Sequence, residues 1–227
     1  MGFQLSPSSI NLMLECQKCF WLQIVKKERR PSGAFPSLPS GMDRILKEHF
    51  DRFAAKGELP PELRDNRHAK GMTLFSDMAT LNTWRNNRKG LMHTDTESGV
   101  LLRGAVDNIL TKDGKLIVLD YKTRGYPLKD DTHEHYASQM HLYNFLLTQN
   151  GHDTEDFALL LFYHPKTVTE AGEVLFNTDL VRMPSSAKEG ERIFRRAISL
   201  LGSDEPGSAQ DCGFCAYSKH GIALDSV

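Results

Sequence analysis

The sequence predicts an α/β fold, with a central mixed β-sheet flanked by helices, on three observations. Segments of helical periodicity stand on both sides of segments of strand periodicity, an Asp-Gly pair separates two apolar runs near mid-chain, and 227 residues with 40 % apolar content suffice for one full core. Composition also excludes several classes. Lys plus Arg number 28 against 29 Asp plus Glu, a formal net charge of −1, and 25 % of residues are charged. Neither a disordered tail, a collagen-like fibre nor a strongly basic DNA coat has that balance. No apolar run approaches the roughly 20 residues of a membrane helix, and the first residues lack the basic and apolar regions of an export signal. The short Met-Gly-x-x-x-Ser match at the start recurs by chance and is not read as a lipidation signal. A cytoplasmic protein with no membrane partner is expected, organised as a single domain over residues 1–227.

Taken in order, Ser6-Pro7-Ser8-Ser9 offers capping hydroxyls ahead of Ile10, Met13 and Leu14, so a first helix begins here and carries Cys16 and Cys19. The basic cluster Lys26, Lys27, Arg29 and Arg30 follows, then a Pro/Ser/Gly-rich connection over residues 31–41 that is expected to be irregular. Met42, Ile45, Leu46, His49, Phe50 and Phe53 form the stripe of an amphipathic helix, with His49 on its apolar face. Residues 57–99 are read as a helical insertion with one helix around 74–88. Strands are expected over residues 100–110 and 115–122, joined at Asp113-Gly114. A helix at 134–148, strands at 157–164 and 174–183, and a final helix at 187–201 complete the reading.

If Asp113 and Gly114 are the turn residues, cross-strand partners sum to 227, and Asp107 faces Asp120. Strand side chains alternate, so both carboxylates and Lys122 project from one side while Tyr121 points to the other. Directly opposed like charges cost a few tenths to about 1 kcal/mol, and a divalent cation would offset that cost. Two carboxylates are donors that Mg²⁺ or Mn²⁺ accept, and a nearby ammonium can orient water or stabilise charge developing on phosphorus. Asp107, Asp120 and Lys122 therefore have the parts for metal-assisted phosphodiester hydrolysis; two solvated aspartates partnered by a lysine are the plainer alternative. Separately, the four cysteines form two Cys-x-x-Cys pairs, Cys16/Cys19 and Cys212/Cys215. Paired thiols of this kind more often hold a metal than make disulfides in a cytoplasmic chain, and joining them would close a loop of nearly the whole sequence.

Gly104-Ala105-Val106-Asp107, Asp120-Tyr121-Lys122-Thr123 and Gln139 through Tyr143, in this order, resemble the PD-(D/E)XK nuclease superfamily, in particular its RecB-like branch. Ser6-Pro7-Ser8 followed by Leu12, Cys16 and Phe20 resembles that branch's opening, and the likeness spans residues 5–215. The resemblance implies a restriction-endonuclease-like core with Asp107 and Asp120 as metal ligands, Lys122 assisting the attacking water, and Gln139 and Tyr143 near the site and the DNA backbone. It also implies an upstream histidine ligand. The position expected for it is Ile45, so the role passes to His49 one turn later, or to Glu48 or Asp43, and His49 is otherwise a core histidine. Branch members similar to CRISPR-associated RecB-like and AddB-type nucleases hold a 4Fe-4S cluster on one N-terminal and three C-terminal cysteines. Here the count departs to two and two, a set that suits either a cubane cluster or tetrahedral Zn²⁺, and it is the resemblance that implies the 4Fe-4S cluster.

The function expected is a Mg²⁺- or Mn²⁺-dependent deoxyribonuclease, an exonuclease in DNA repair or recombination. Its expected partners are DNA single strands or ends and a helicase or repair complex. Local cations would hold the phosphates: Arg124 just beyond the Asp-x-Lys strand, with Arg85, Arg88, Lys89 and the 26–30 cluster as further contacts or as solvated faces. A non-catalytic, metal-clipped nucleic-acid-binding module on the same fold is the second reading.

Overall fold

The computed structural model describes residues 2–224. β1 (Gln4–Leu5) leads into α1 (Pro7–Glu15), which starts at a reciprocal cap. Ser6 Oγ accepts the Ser9 N–H at 3.2 Å, Ser9 Oγ accepts the Ser6 N–H at 2.8 Å, and Pro7 sits in the first turn, where its missing N–H costs nothing. Extended backbone at Cys16 (φ −159°, ψ 110°) ends α1 and separates it from α2 (Gln17–Trp21). The first cysteine pair is thus not carried on one helix as expected: Cys16 occupies the break and Cys19 the second helix. α3 (Ser37–Ala54) is the expected amphipathic helix, with Leu46 and Phe50 buried, but it begins within the stretch read as irregular. Pro39 and Gly41 lie in its first turns, where proline is tolerated.

Residues 57–99 are a correction. They contain the short α4 (Pro61–Arg64), β2 (Thr73–Leu74), α5 (Met78–Trp84) and β3 (Leu91–Thr94), and the two strands join different sheets, so the stretch is not a helical insertion. The single strand expected over 100–110 is also divided, into β4 (Leu101–Gly104) and β5 (Asn108–Lys112). Its physical reason is a corner at residues 105–107, where the Val106 N–H bonds the Trp84 carbonyl (3.2 Å) instead of a strand neighbour. β6 (Lys115–Thr123), α6 (Ala137–Gln149), β7 (Phe157–Val168), β8 (Val174–Pro184) and α7 (Ala187–Leu201) fall where periodicity placed them. A further helix, α8 (Gly213–Leu224), carries the second cysteine pair's Cys215 and was not expected.

The strands form two mixed sheets, β1-β4-β3 and β2-β5-β6-β7-β8. Asp113 (φ 50°) and Gly114 (φ 81°) both have left-handed backbone, as a type I′ turn requires, and the pairing runs from Lys112↔Lys115 to Asn108↔Leu119. One face of the larger sheet (Ile109, Leu116, Val118, Ala158, Leu160, Phe162) packs with Met140 and Leu146 of α6 and Phe194 of α7. The opposite face (Leu110, Ile117, Leu119, Tyr121, Leu159, Leu161) packs on Leu46 and Phe50 of α3. β6 and β7 run parallel with α6 between them in sequence, which carries α6 over the first of these faces.

Candidate active site and cysteine centre

The corner between β4 and β5 holds Asp107 just before the last pair of the hairpin, Asn108↔Leu119, near enough to Asp120 for its charge to act on that carboxyl. Each oxygen of Asp107 has a partner: Oδ2 accepts the Tyr121 N–H at 3.0 Å, and Oδ1 lies 3.2 Å from Lys47 Nζ. Arg85 Nε donates to the Asp107 carbonyl (2.7 Å), and its Nη1 bonds both Asp51 oxygens (2.8 and 2.9 Å). Asp43, Lys47 and Asp51 recur at four-residue spacing on α3, so one charged stripe of that helix braces the Asp107 corner from outside. The Gly104 of the Gly-x-x-Asp motif has its own reason: a Cβ there would stand 2.8 Å from Leu146 Cδ1 and 2.9 Å from Tyr143 Cε1, both on α6.

α6 then supplies a chain of hydrogen bonds. Lys122 Nζ donates to Gln139 Oε1 (3.1 Å), Gln139 Nε2 donates to Tyr143 Oη (3.0 Å), and Tyr143 Oη donates to the Ala105 carbonyl (2.6 Å). Gln139 and Tyr143 share a face at four-residue spacing, so one helix both aims the lysine and pins the corner that carries Asp107. Tyr143 is buried, and its hydroxyl is committed to Ala105.

Asp120 is 2 % exposed. Lys122 Nζ lies 2.5 Å from its Oδ2, an ion pair within the strand. Burial first, then the charge of Asp107, push the Asp120 carboxyl up to about 7, with Lys122 pulling the other way. Burial opposes the Lys122 ammonium, but Asp120 and Asp107 outweigh it and hold its pKa above the usual value. The ammonium also sits 4.5 Å from the Tyr136 ring centroid. These residues fit a divalent cation in donor type: two hard carboxylates whose charges oppose each other, one of them buried with the Lys122 ammonium beside its Oδ2.

His49 is not brought to this pair. Its Nε2 lies 3.2 Å from the Glu62 carboxylate, which also accepts the Tyr163 hydroxyl (3.1 Å), and its ring meets Phe50 and Phe53 edge-on. One turn beyond Ile45, the side chain leans toward α4 instead of the carboxylates. Of the other upstream candidates, Glu48 pairs with exposed Arg44 (3.0 Å), while Asp43 is linked to Asp107 through Lys47. Arg124 follows β6, its N–H bonded to the Tyr163 carbonyl (2.9 Å), and its guanidinium makes no hydrogen bond or ion pair among the described residues. Arg85, expected as a surface phosphate contact, is instead buried behind Asp107. Sequence reading missed this brace and Lys47; the Asp43, Lys47, Asp51 stripe beside the apolar one was the available signal.

The four cysteines, all free and buried, converge, with every sulfur within 4.8 Å of the others. Among the described residues no other set of three or more His, Cys, Asp or Glu does so. Sγ separations are 3.8 Å for Cys16 and Cys215, 3.6 Å for Cys19 and Cys212, and 3.5 Å for Cys19 and Cys215. The Ala209 N–H donates to Cys16 Sγ (3.5 Å) and Arg30 Nη2 to Cys212 Sγ (3.6 Å). Burial disfavours the Cys16 thiolate, yet the backbone N–H groups of Ala209 and Cys19 and the neighbouring thiols outweigh it and bring the group down to about 6. Burial and the other thiols drive Cys215 the opposite way. The Cys16 thiolate is thus favoured while those of Cys19 and Cys215 are penalised, the condition a shared cation relieves.

A nuclease-like α/β sheet with an Asp, Asp, Lys cluster at one strand end and a Gln and Tyr from the crossing helix defines the class. The chain belongs to the PD-(D/E)XK nuclease superfamily, whose profile matches residues 4–220. Among curated proteins none matches significantly. A solved structure titled "Crystal structure of SSO0001" is similar at 15 % identity and a TM-score of 0.46, covering 95 % of this chain and 84 % of that one. No helix of the described residues is long and apolar enough to cross a membrane.

Proposed function

We propose that this chain is a divalent-metal-dependent deoxyribonuclease of the RecB-like branch, acting as an exonuclease on single strands or ends in DNA repair or recombination, alongside a helicase or repair complex. The observation that carries the reading is the buried Asp120, its carboxyl pKa raised by that burial and by the nearby Asp107 charge, and in contact with Lys122. Asp107 and Asp120 would hold Mg²⁺ or Mn²⁺, which when bound supplies charge neutralisation at the phosphate and a more acidic water. The chain's own residues do the remainder. Lys122, aimed by Gln139, orients the water and offsets charge gathering on the phosphoryl oxygens. Hydrolysis forms one P–O bond to the water oxygen and breaks the bond to the leaving oxygen. One water proton passes to solvent and the other ends on the leaving group. Arg124, two residues beyond Lys122, would meet a backbone phosphate, and binding through it would weaken as salt rises.

The test uses labelled single- and double-stranded DNA with Mg²⁺ or Mn²⁺. Wild type is expected to cleave, and Asp120→Asn and Lys122→Ala each to lose at least about a hundredfold in rate. Cleavage that survives both substitutions sinks the site. The binding-module reading draws support from Lys47, whose ammonium already neutralises Asp107; wild type that binds DNA but cleaves with neither metal would favour it.

A further inference from the structure

We infer that the four cysteines bind a single tetrahedral zinc ion and not the iron–sulfur cubane that the sequence resemblance implies. The distances carry this. With Zn–S bonds of about 2.3 Å, the sulfurs of a tetrahedral site stand about 3.8 Å apart. The three closest pairs here are separated by 3.5, 3.6 and 3.8 Å, and no pair exceeds 4.8 Å. A cubane places four irons and four sulfides between its ligands, so its cysteine sulfurs stand about 6 Å apart. To admit one, each sulfur would have to move outward by about 1.5 Å.

The surroundings resist that expansion. All four side chains are under 10 % exposed and pack against Leu12 and Ala209. Cys16 is held by the Ala209 N–H and sits at the α1–α2 break, so moving its sulfur shifts a helix junction. A cavity of about 540 Å³ does lie alongside, lined by Cys19, Cys215, Arg30 and Phe214 among others. Cys16 and Cys212 do not line it, so a cluster seated there would be reached by only two of the four ligands.

Charge agrees as well. Four thiolates on Zn²⁺ leave a net charge of −2, and the chain supplies a counter-ion in Arg30. Its Nη2 donates to Cys212 Sγ, its Nη1 bonds Glu15 (2.9 Å), and its guanidinium stacks 4.5 Å from the Phe214 ring centroid. Arg30 therefore belongs to the cysteine centre, not to a phosphate-binding patch. Soft thiolates and a closed donor set without an open position describe a structural zinc site.

The experiment is a metal and sulfide count on the full chain, purified anaerobically from cells grown with both iron and zinc. One zinc per chain, no acid-labile sulfide and a colourless solution are expected. After zinc removal, Co²⁺ alone should give the visible bands of a tetrahedral, thiolate-bound ion. Brown protein with four irons and four sulfides per chain overturns the inference, and so does a folded chain with no stoichiometric metal. Arg30→Gln should still bind one zinc but release it to a chelator several-fold faster; release at the wild-type rate removes Arg30 from the centre. Asp120→Asn should keep its zinc whether or not the chain proves to be a nuclease, so the two readings fail separately.

Discussion

At the scale of single residues, the Tyr143 hydroxyl joins two motifs far apart in sequence. It donates to the Ala105 carbonyl and accepts from Gln139, which in turn holds Lys122. Tyr143→Phe leaves both partners without their bond inside a buried site, at about 1–3 kcal/mol. For the proposed nuclease, a rate loss near tenfold with little change in KM is expected, because the tyrosine hydroxyl is taken up by Ala105 and Gln139 and acts through the lysine. A KM effect with unchanged kcat would instead make Tyr143 a binding residue. The Gln-x-x-x-Tyr pattern was legible in the sequence, but its partner was not, since nothing in local spacing tells that a helix hydroxyl will seek the carbonyl two residues before Asp107.

Between elements, close helix contact and one buried carboxylate are open to test. Gly190 of α7 lies so near α6 that a Cβ would collide with the His141 carbonyl and stand 2.7 Å from Phe145 Cβ. Alanine gains up to about 1 kcal/mol in helix propensity, yet forcing the helices apart costs about 1–3 kcal/mol. Gly190→Ala is therefore expected to lower the denaturation midpoint, and a raised midpoint would contradict this packing. Asp95 ties the β3–β4 turn to α7, accepting from Ser98 N–H (2.9 Å), Ser98 Oγ (2.6 Å) and Arg195 (2.5 Å). These bonds, Ser98 first, hold its pKa below the usual carboxylate value. A depressed folded pKa means stability that is complete above the unfolded value and lost as pH falls through the folded one. Asp95→Asn should thus cost about 1–2 kcal/mol at neutral pH, and the gap to wild type should narrow on acidification. A gap that widens below pH 4 would refute the assignment.

Across the whole molecule, the cysteine centre connects residues 16 and 19 with 212 and 215, a separation of 193 to 199 positions. A link across so long a loop removes much chain entropy from the unfolded state. Cys212→Ser or chelation is expected to lower Tm by several degrees, about 2–4 °C per kcal/mol for a chain of this size, with metal released in the same step. Unchanged melting together with unchanged metal content would contradict a structural role.

What the sequence determined by itself was local. The Ser6 cap, the Asp113-Gly114 turn and its register, the α3 stripe, and β6 through α7 follow from capping chemistry and from periods of 3.6 and 2, which act over a few residues. The register alone gave the expectation that Asp107 faces Asp120, whereas the ladder itself ends one pair earlier, at Asn108↔Leu119. Tertiary structure decided the rest. The run over residues 100–110 reads as one strand because its apolar pattern is continuous; the break comes from a hydrogen bond to Trp84, distant in sequence. His49 has the helical phase of a ligand, but Glu62 across a neighbouring element takes its ring. Arg85 and Arg30 read as phosphate contacts or solvated cations, and Lys47 drew no reading at all, until the fold sets Arg85 and Lys47 against Asp107 and Arg30 against the cysteines. Local sequence sets which groups point the same way, whereas burial, through desolvation and the charges packed alongside, sets which of them can carry chemistry.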